Sequence, residues 1–146
     1  MTSLLCLDAS VAAKTLLPEI DSDKAAELVE TAGRNGVQLV APPHFPIEVT
    51  SALYKRVQRG ELTVAAAVDR SRMLELLPVH LLAPDGLRER ALEIAAVTNM
   101  KWVHDAFYVA LAEIEQCELW TADEQLHAAV GATHPNVRFL SAYDGR

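Results

Sequence analysis

Leu4-Leu5-Cys6-Leu7-Asp8-Ala9-Ser10 is the stretch on which the fold turns. Four apolar residues in unbroken succession describe a strand buried on both faces, because successive side chains point to opposite sides of a sheet. An acid then closes the run. Short runs of similar character recur at 37–40, 79–82, 119–121 and 137–140, and helical periodicity fills the segments between them, at 11–16, 23–32, 45–59, 64–77, 87–97, 103–115 and 124–130. Strand and helix alternate almost throughout. This predicts an α/β, doubly wound fold in which a five-stranded parallel sheet is covered by helices on both faces. Pro18 closes the first helical region, Gly33 and Gly36 flank the next turn, Pro42 and Pro43 precede the third long helix, and Gly60 follows its basic end.

The chain has 146 residues, an ordinary size for one domain, and no segment reads as a linker or repeat, so residues 1–146 are expected to form a single domain. Half of the residues are apolar, enough for a sizeable core. The opening residues lack a positively charged leader followed by a long apolar run, and no later run approaches a membrane span. A soluble, unexported protein of the cytoplasm is expected. Cys6 and Cys117 each sit in apolar surroundings and read as buried structural thiols rather than a disulfide framework or zinc site. The formal net charge of -7 excludes a protein that grips nucleic acid through a broad basic face. Any nucleic-acid chemistry must rest on local features.

Those features are acids. In open α/β sheets ligands sit outside the carboxyl ends of the strands, and Asp8 and Asp123 fall there. Each also suits a plain helix N-cap, and Thr121-Ala122-Asp123-Glu124 spells a possible capping box with Thr121 as the cap. Glu48 and Asp105 change the balance. Both lie in helices that are apolar nearly all round, where an isolated carboxylate costs several kcal/mol unless a partner, a proton or a metal compensates it. A helix dipole, worth about 0.3–1 kcal/mol, is too small to do so. Four acids in one crevice cannot all stay ionised without a cation. All-oxygen ligation favours a hard ion such as Mg²⁺, with Mn²⁺ as a substitute, and phosphodiester hydrolysis is the natural reaction of one or two such ions.

Four segments carry a resemblance: Leu7-Asp8-Ala9-Ser10-Val11, Pro46-Ile47-Glu48-Val49, the run from His104 and Asp105 to Glu113, and Trp120-Thr121-Ala122-Asp123-Glu124. In this order, over essentially the whole chain, they resemble the PIN-domain family and within it the VapC-like ribonuclease toxins of toxin-antitoxin systems. The resemblance implies a PIN-like three-layer α/β/α fold, a homodimer, a Mg²⁺-dependent endoribonuclease site, an RNA substrate and a VapB-like antitoxin as partner. It places the acidic quartet, as catalytic residues and metal ligands, on Asp8, Glu48, Asp105 and Asp123. Ser10 and Thr121 are supporting hydroxyls.

His104 and Trp102 depart from the common pattern; His104 is expected to face solvent at its helix start and stays outside the catalytic set. Lys55, Arg56 and Arg59 could meet RNA phosphates, but complementing a helix C-terminus explains them as well. Lys14 could lie nearer the crevice. Asp21, Asp23, Glu27 and Glu30 read as a solvated helix face. The stripe Val64, Ala67, Val68, Ser71, Leu74 and Leu77 is expected to pack on the core, with a dimer or antitoxin groove as the other reading. Two rival functions remain. An aspartyl-nucleophile phosphatase needs a second acid two residues after Asp8, where Ser10 stands. A catalytically inactive PIN-like module that binds RNA or protein would carry the same fold.

Overall fold

A computed structural model describes residues 2–145. Leu4–Leu7 forms the first strand, β1, and the others are β2 (Gln38–Ala41), β3 (Val79–Leu81), β4 (Glu118–Thr121) and β5 (Val137–Phe139). They make one sheet in the order β3-β2-β1-β4-β5, with every pairing parallel. Cys6 and Leu7 point to opposite faces of β1 and neither is exposed, so both faces are covered. The helices are α1 (Ala9–Leu16), α2 (Ser22–Arg34), α3 (Phe45–Gln58), α4 (Val64–Leu74), α5 (Leu87–Thr98), α6 (Val103–Ile114) and α7 (Glu124–Val130), and a 3-10 turn follows at Leu140–Ala142. The expected three-layer α/β/α architecture is the one observed.

The chain begins in the middle of the sheet, winds outward through β2 and β3, and returns to the other side of β1 to lay down β4 and β5. The winding direction therefore reverses between β1 and β4, and the carboxyl ends of these two strands border the crevice where such folds bind ligands. Leu7 pairs with Trp120, and the Asp8 amide donates to the Trp120 carbonyl at 3.0 Å, carrying the ladder one residue past the strand. Asp8 is thereby fixed at the switch point by backbone, before its side chain makes any contact.

α6 owes its position to composition. Ala106 and the run Tyr108 to Ala112 are fully buried, and Cys6 Sγ sits 3.8 Å from the Tyr108 carbonyl, so the helix lies directly on the central strand. α3 is one-sided instead: Phe45, Val49 and Leu53 face the core, while Ile47 and Tyr54 are exposed. Its first turn follows Pro42 and Pro43 and carries Pro46, whose fixed φ suits a helix start.

Two expectations about packing are corrected. β3 is an edge strand, and His80 and Leu81 are exposed, because only β2 borders it. The stripe on α4 meets the core only at its far end, where Leu74 and, beyond the helix, Leu77 pack partly buried against it. No residue of α4 is buried; Val64 is 66% and Val68 41% exposed, because α4 packs over α1 and α3 outside the sheet layers and ends at Leu74, short of Leu77. Cys6 and Cys117 are both free thiols, Cys117 only half-buried. Among the described residues no helix is long and apolar enough to cross a membrane.

Candidate active site

Asp8 is 5% exposed and, with Thr121, makes up the buried polar side chains among the described residues. Its Oδ2 accepts from Ser10 Oγ at 2.5 Å and from Thr121 Oγ1 at 2.9 Å. Both hydroxyls are oriented in turn by backbone, since Ser10 Oγ accepts from the Ala122 amide at 2.9 Å and Thr121 Oγ1 from the Asp123 amide at 3.0 Å. Each hydroxyl proton is therefore directed at the carboxylate. Asp8 occupies the N-cap position of α1, yet its side chain makes no capping bond. Capping does not account for this acid.

Asp123 behaves in the opposite way. Its Oδ1 accepts from the Gln125 and Leu126 amides at 2.9 and 3.2 Å, so Asp123 itself caps α7, a contact worth about 1 kcal/mol. The expected capping box centred on Thr121 is not formed, because the Thr121 hydroxyl is committed to Asp8 and to the Asp123 amide.

Glu48 and Asp105 come from the first turns of α3 and α6, far apart in sequence and adjacent in space. They are less buried than their apolar surroundings implied, with side chains 24% and 28% exposed, because both first turns open onto the crevice. Between them stands His104. Its Nε2 lies 3.5 Å from Glu48 Oε2 and 3.9 Å from Asp105 Oδ1, and its ring stacks on Trp102 with centroids 5.9 Å apart. The solvent-facing reading of His104 holds for about half of its side chain, which is exposed at the helix start, while Nε2 lies on the side of the acids.

His44, which the sequence did not single out, completes this end. Its Nε2 donates to the His104 carbonyl at 2.9 Å and lies 3.3 Å from Glu48 Oε1. The ring packs edge-on against Phe107 and Tyr108. The only local signal was its spacing four residues before Glu48, which sets both on one helix face. Tyr108, three residues after Asp105, lies within the apolar run of α6 and carries no separate signal in the sequence.

Electrostatics separate the acids. Burial pushes Asp8 up from its ordinary 3.8 to about 6; the Ser10 and Thr121 hydroxyls pull it back, and the charges of Glu48 and Asp105 raise it further. Burial also raises Asp105, with repulsion from Glu48 and Asp123 offset in part by His104. Glu48 is under the same pressure from burial, but His44 beside it and the charge of His104 hold it below the usual range. Three acids thus feel one another across a single crevice.

The basic residues are mostly engaged elsewhere. Lys14 donates to the Ile20 carbonyl at 2.8 Å and pairs with Glu19 at 3.5 Å, turned toward the α1–α2 connection and away from the acids. Arg56 is held by Glu19 and Glu61. Lys55 is exposed and lines a cleft of about 420 Å³ with His44, Glu48, Ser51 and His104. Arg59 is exposed at the end of the same helix.

Whether a cation fits is answered by what the acids leave unmade. Glu48 Oε1 and the Tyr108 hydroxyl are buried without a hydrogen bond, and such groups are costly unless something else satisfies them. Among the described residues, donor atoms of Glu48, His104 and Asp105 lie within 4.8 Å of one another. Asp8 and Asp123 stand outside this trio, and their charges reach it. The donor set suits a divalent cation.

An all-parallel sheet whose switch point gathers carboxylates from β1, α3 and α6 defines an α/β protein built around a candidate cation site. The PIN domain family profile matches residues 5–131, and the chain belongs to that family. Among solved structures it is similar to PAE2754 from Pyrobaculum aerophilum, at 21% identity and a TM-score of 0.69 over 97% of this chain and 93% of that one. It is also similar to VapC20 of Mycobacterium tuberculosis, described as a sarcin-ricin loop cleaving toxin, at 18% identity and a TM-score of 0.64 over 92% of this chain and 98% of that one. No curated protein matches in sequence.

Proposed function

We propose that this protein is a divalent-metal-dependent endoribonuclease and the toxin component of a toxin-antitoxin pair, with residues 1–146 acting as a single domain. The observation that carries the reading is Asp8, a nearly buried carboxylate at the switch point, held ready by two hydroxyls and raised first by its burial and then by the charges of Glu48 and Asp105. A protein gains nothing in stability by burying such a group against like charges, and a bound cation turns that cost into affinity. The family and the fold shared with VapC20 support the same reading.

Asp8, Glu48 and Asp105 are the residues that would hold Mg²⁺ or Mn²⁺, with Asp123 at the margin through the oxygen its capping leaves over. A bound divalent ion supplies positive charge against the phosphodiester and lowers the pKa of water beside it. The chain's own residues do the rest. Ser10 and Thr121 fix the orientation of the Asp8 carboxylate and keep it ionisable. His44 keeps Glu48 charged. Lys55, on the cleft wall beside Glu48, offers a phosphate contact to an RNA strand.

The partners follow the same proposal. The exposed apolar residues Ile47 and Tyr54 of α3 and Val64 and Val68 of α4 are available to a second copy of the chain or to a VapB-like antitoxin. The free thiols of Cys6 and Cys117 suit a reducing cytoplasm. Incubation of a total cellular RNA pool with the purified chain, in Mg²⁺ or Mn²⁺ and in EDTA, tests the activity. Metal-dependent fragments that vanish in Asp8→Asn support it; equal cleavage by Asp8→Asn sinks the assignment.

A further inference from the structure

We infer that His104 is itself a metal ligand, so that Glu48, His104 and Asp105 form a mixed nitrogen-oxygen site that prefers Mn²⁺ and later transition ions to Mg²⁺. The inference rests on the proposed metal-dependent reading and specifies which ion it employs.

The distances fit an ion. A six-coordinate cation with bonds of about 2.1 Å needs neighbouring donors about 3.0 Å apart and opposite donors about 4.2 Å apart. His104 Nε2 lies 3.5 Å from Glu48 Oε2 and 3.9 Å from Asp105 Oδ1, between those limits and too far for hydrogen bonds. The three side chains thus converge without satisfying one another.

His104 is also held in place. Its ring stacks on Trp102, and its backbone carbonyl is held by His44 Nε2 at 2.9 Å. His44 carries its proton on the nitrogen facing that carbonyl and Glu48, so it orients the carboxylate and leaves no lone pair there for the ion. An independent observation points the same way. Tyr108 is fully buried, and its hydroxyl faces Glu48 with no hydrogen-bond partner, a polar group aimed at the trio and left unsatisfied by the protein.

Chemistry then decides the preference. Carboxylates alone suit Mg²⁺, which gains little from an imidazole and sheds water reluctantly. Replacing one oxygen donor by imidazole favours ions further along the Irving–Williams order. Mg²⁺ keeps its access through Asp8 and the two carboxylates.

The test loads the full chain with Mn²⁺ alone and records pulsed EPR beside calorimetric titrations with Mn²⁺ and Mg²⁺. The expected spectrum carries ¹⁴N modulation from one imidazole, with Mn²⁺ bound about tenfold or more tighter than Mg²⁺. In His104→Ala the modulation disappears and Mn²⁺ affinity falls about tenfold or more, while Mg²⁺ affinity changes less than about threefold. In His44→Ala the modulation persists. If His104→Ala fails to fold, His104→Gln takes its place in the same comparison. Bound Mn²⁺ without ¹⁴N modulation, or modulation that survives in His104→Ala, overturns His104 as a ligand and leaves the carboxylate site standing. Failure to bind either ion overturns this inference and the metal-dependent reading together.

Discussion

The two halves of the crevice are built on opposite plans. At the β1–β4 side, Asp8 is buried, and its carboxylate is locked by two hydroxyls that backbone amides hold in turn. At the α3–α6 side, Glu48 and Asp105 are a quarter exposed, and their nearest donors are histidines at 3.3 to 3.9 Å. One side is a finished network; the other is a set of donors waiting for a centre. In the proposed nuclease, this contrast makes Asp8 the rigid anchor and the α3–α6 pair the open side that would meet ion and substrate.

The largest effect expected from breaking the anchor is on activity. Asp8→Asn keeps both hydroxyl contacts geometrically possible and removes the charge, so cleavage should fall by about a thousandfold or more, about 4 kcal/mol of barrier, with an unchanged far-UV spectrum. RNA gel assays beside circular dichroism measure both.

A second effect separates the halves by pH. The folded Asp8 titrates at about 6 against an ordinary 3.8. Below the lower value the carboxyl is protonated in both states and costs nothing; above the upper value it is ionised in both, and the folded state carries the penalty. Metal-free stability should therefore fall by up to about 3 kcal/mol as pH rises through this window. Urea titrations in EDTA should show the decline in the wild type and not in Asp8→Asn. Saturating Mn²⁺ should flatten it.

Thr121→Val tests the network more gently. It leaves the Asp123 amide and one acceptor site of Asp8 without their partner, at an expected cost of about 2 kcal/mol. A cost below about 0.5 kcal/mol in the same titration would show that the hydroxyl is dispensable to the anchor. The smallest effect is expected across the crevice. Tyr108→Phe removes a buried hydroxyl that has no partner, so metal-free stability should change by less than about 1 kcal/mol or rise slightly.

The same division marks what the sequence could reveal. The β1 end was legible because it is local: a continuous apolar run ending in Asp8 states strand and terminus together, while the hydroxyls of Ser10 and Thr121 came only from the family resemblance. Strand order and the reversal at β1 were not legible, because several doubly wound orders share the same alternation of strand and helix, and contacts far apart in the chain choose among them. At the α3–α6 end, four residues that act together lie about sixty apart in the chain, and nothing local to Pro43-His44 or Trp102-His104 reports that α3 and α6 meet there. His104 was read by its helix position, which says nothing of the neighbouring helix. The α4 stripe failed for a related reason, since periodicity identifies an apolar face without saying whether anything covers it. Asp123 shows the limit from the other side: one residue satisfies the capping pattern and the acidic pattern, and only geometry shows that an oxygen is already committed.

The central claim is that Asp8, Glu48 and Asp105 surround one cation position. Anomalous diffraction from Mn²⁺-soaked crystals of the full chain tests it most directly. The expected result is a peak in that crevice against Glu48 and Asp105; Mn²⁺ bound only elsewhere on the molecule, with the crevice free of anomalous density, would contradict it.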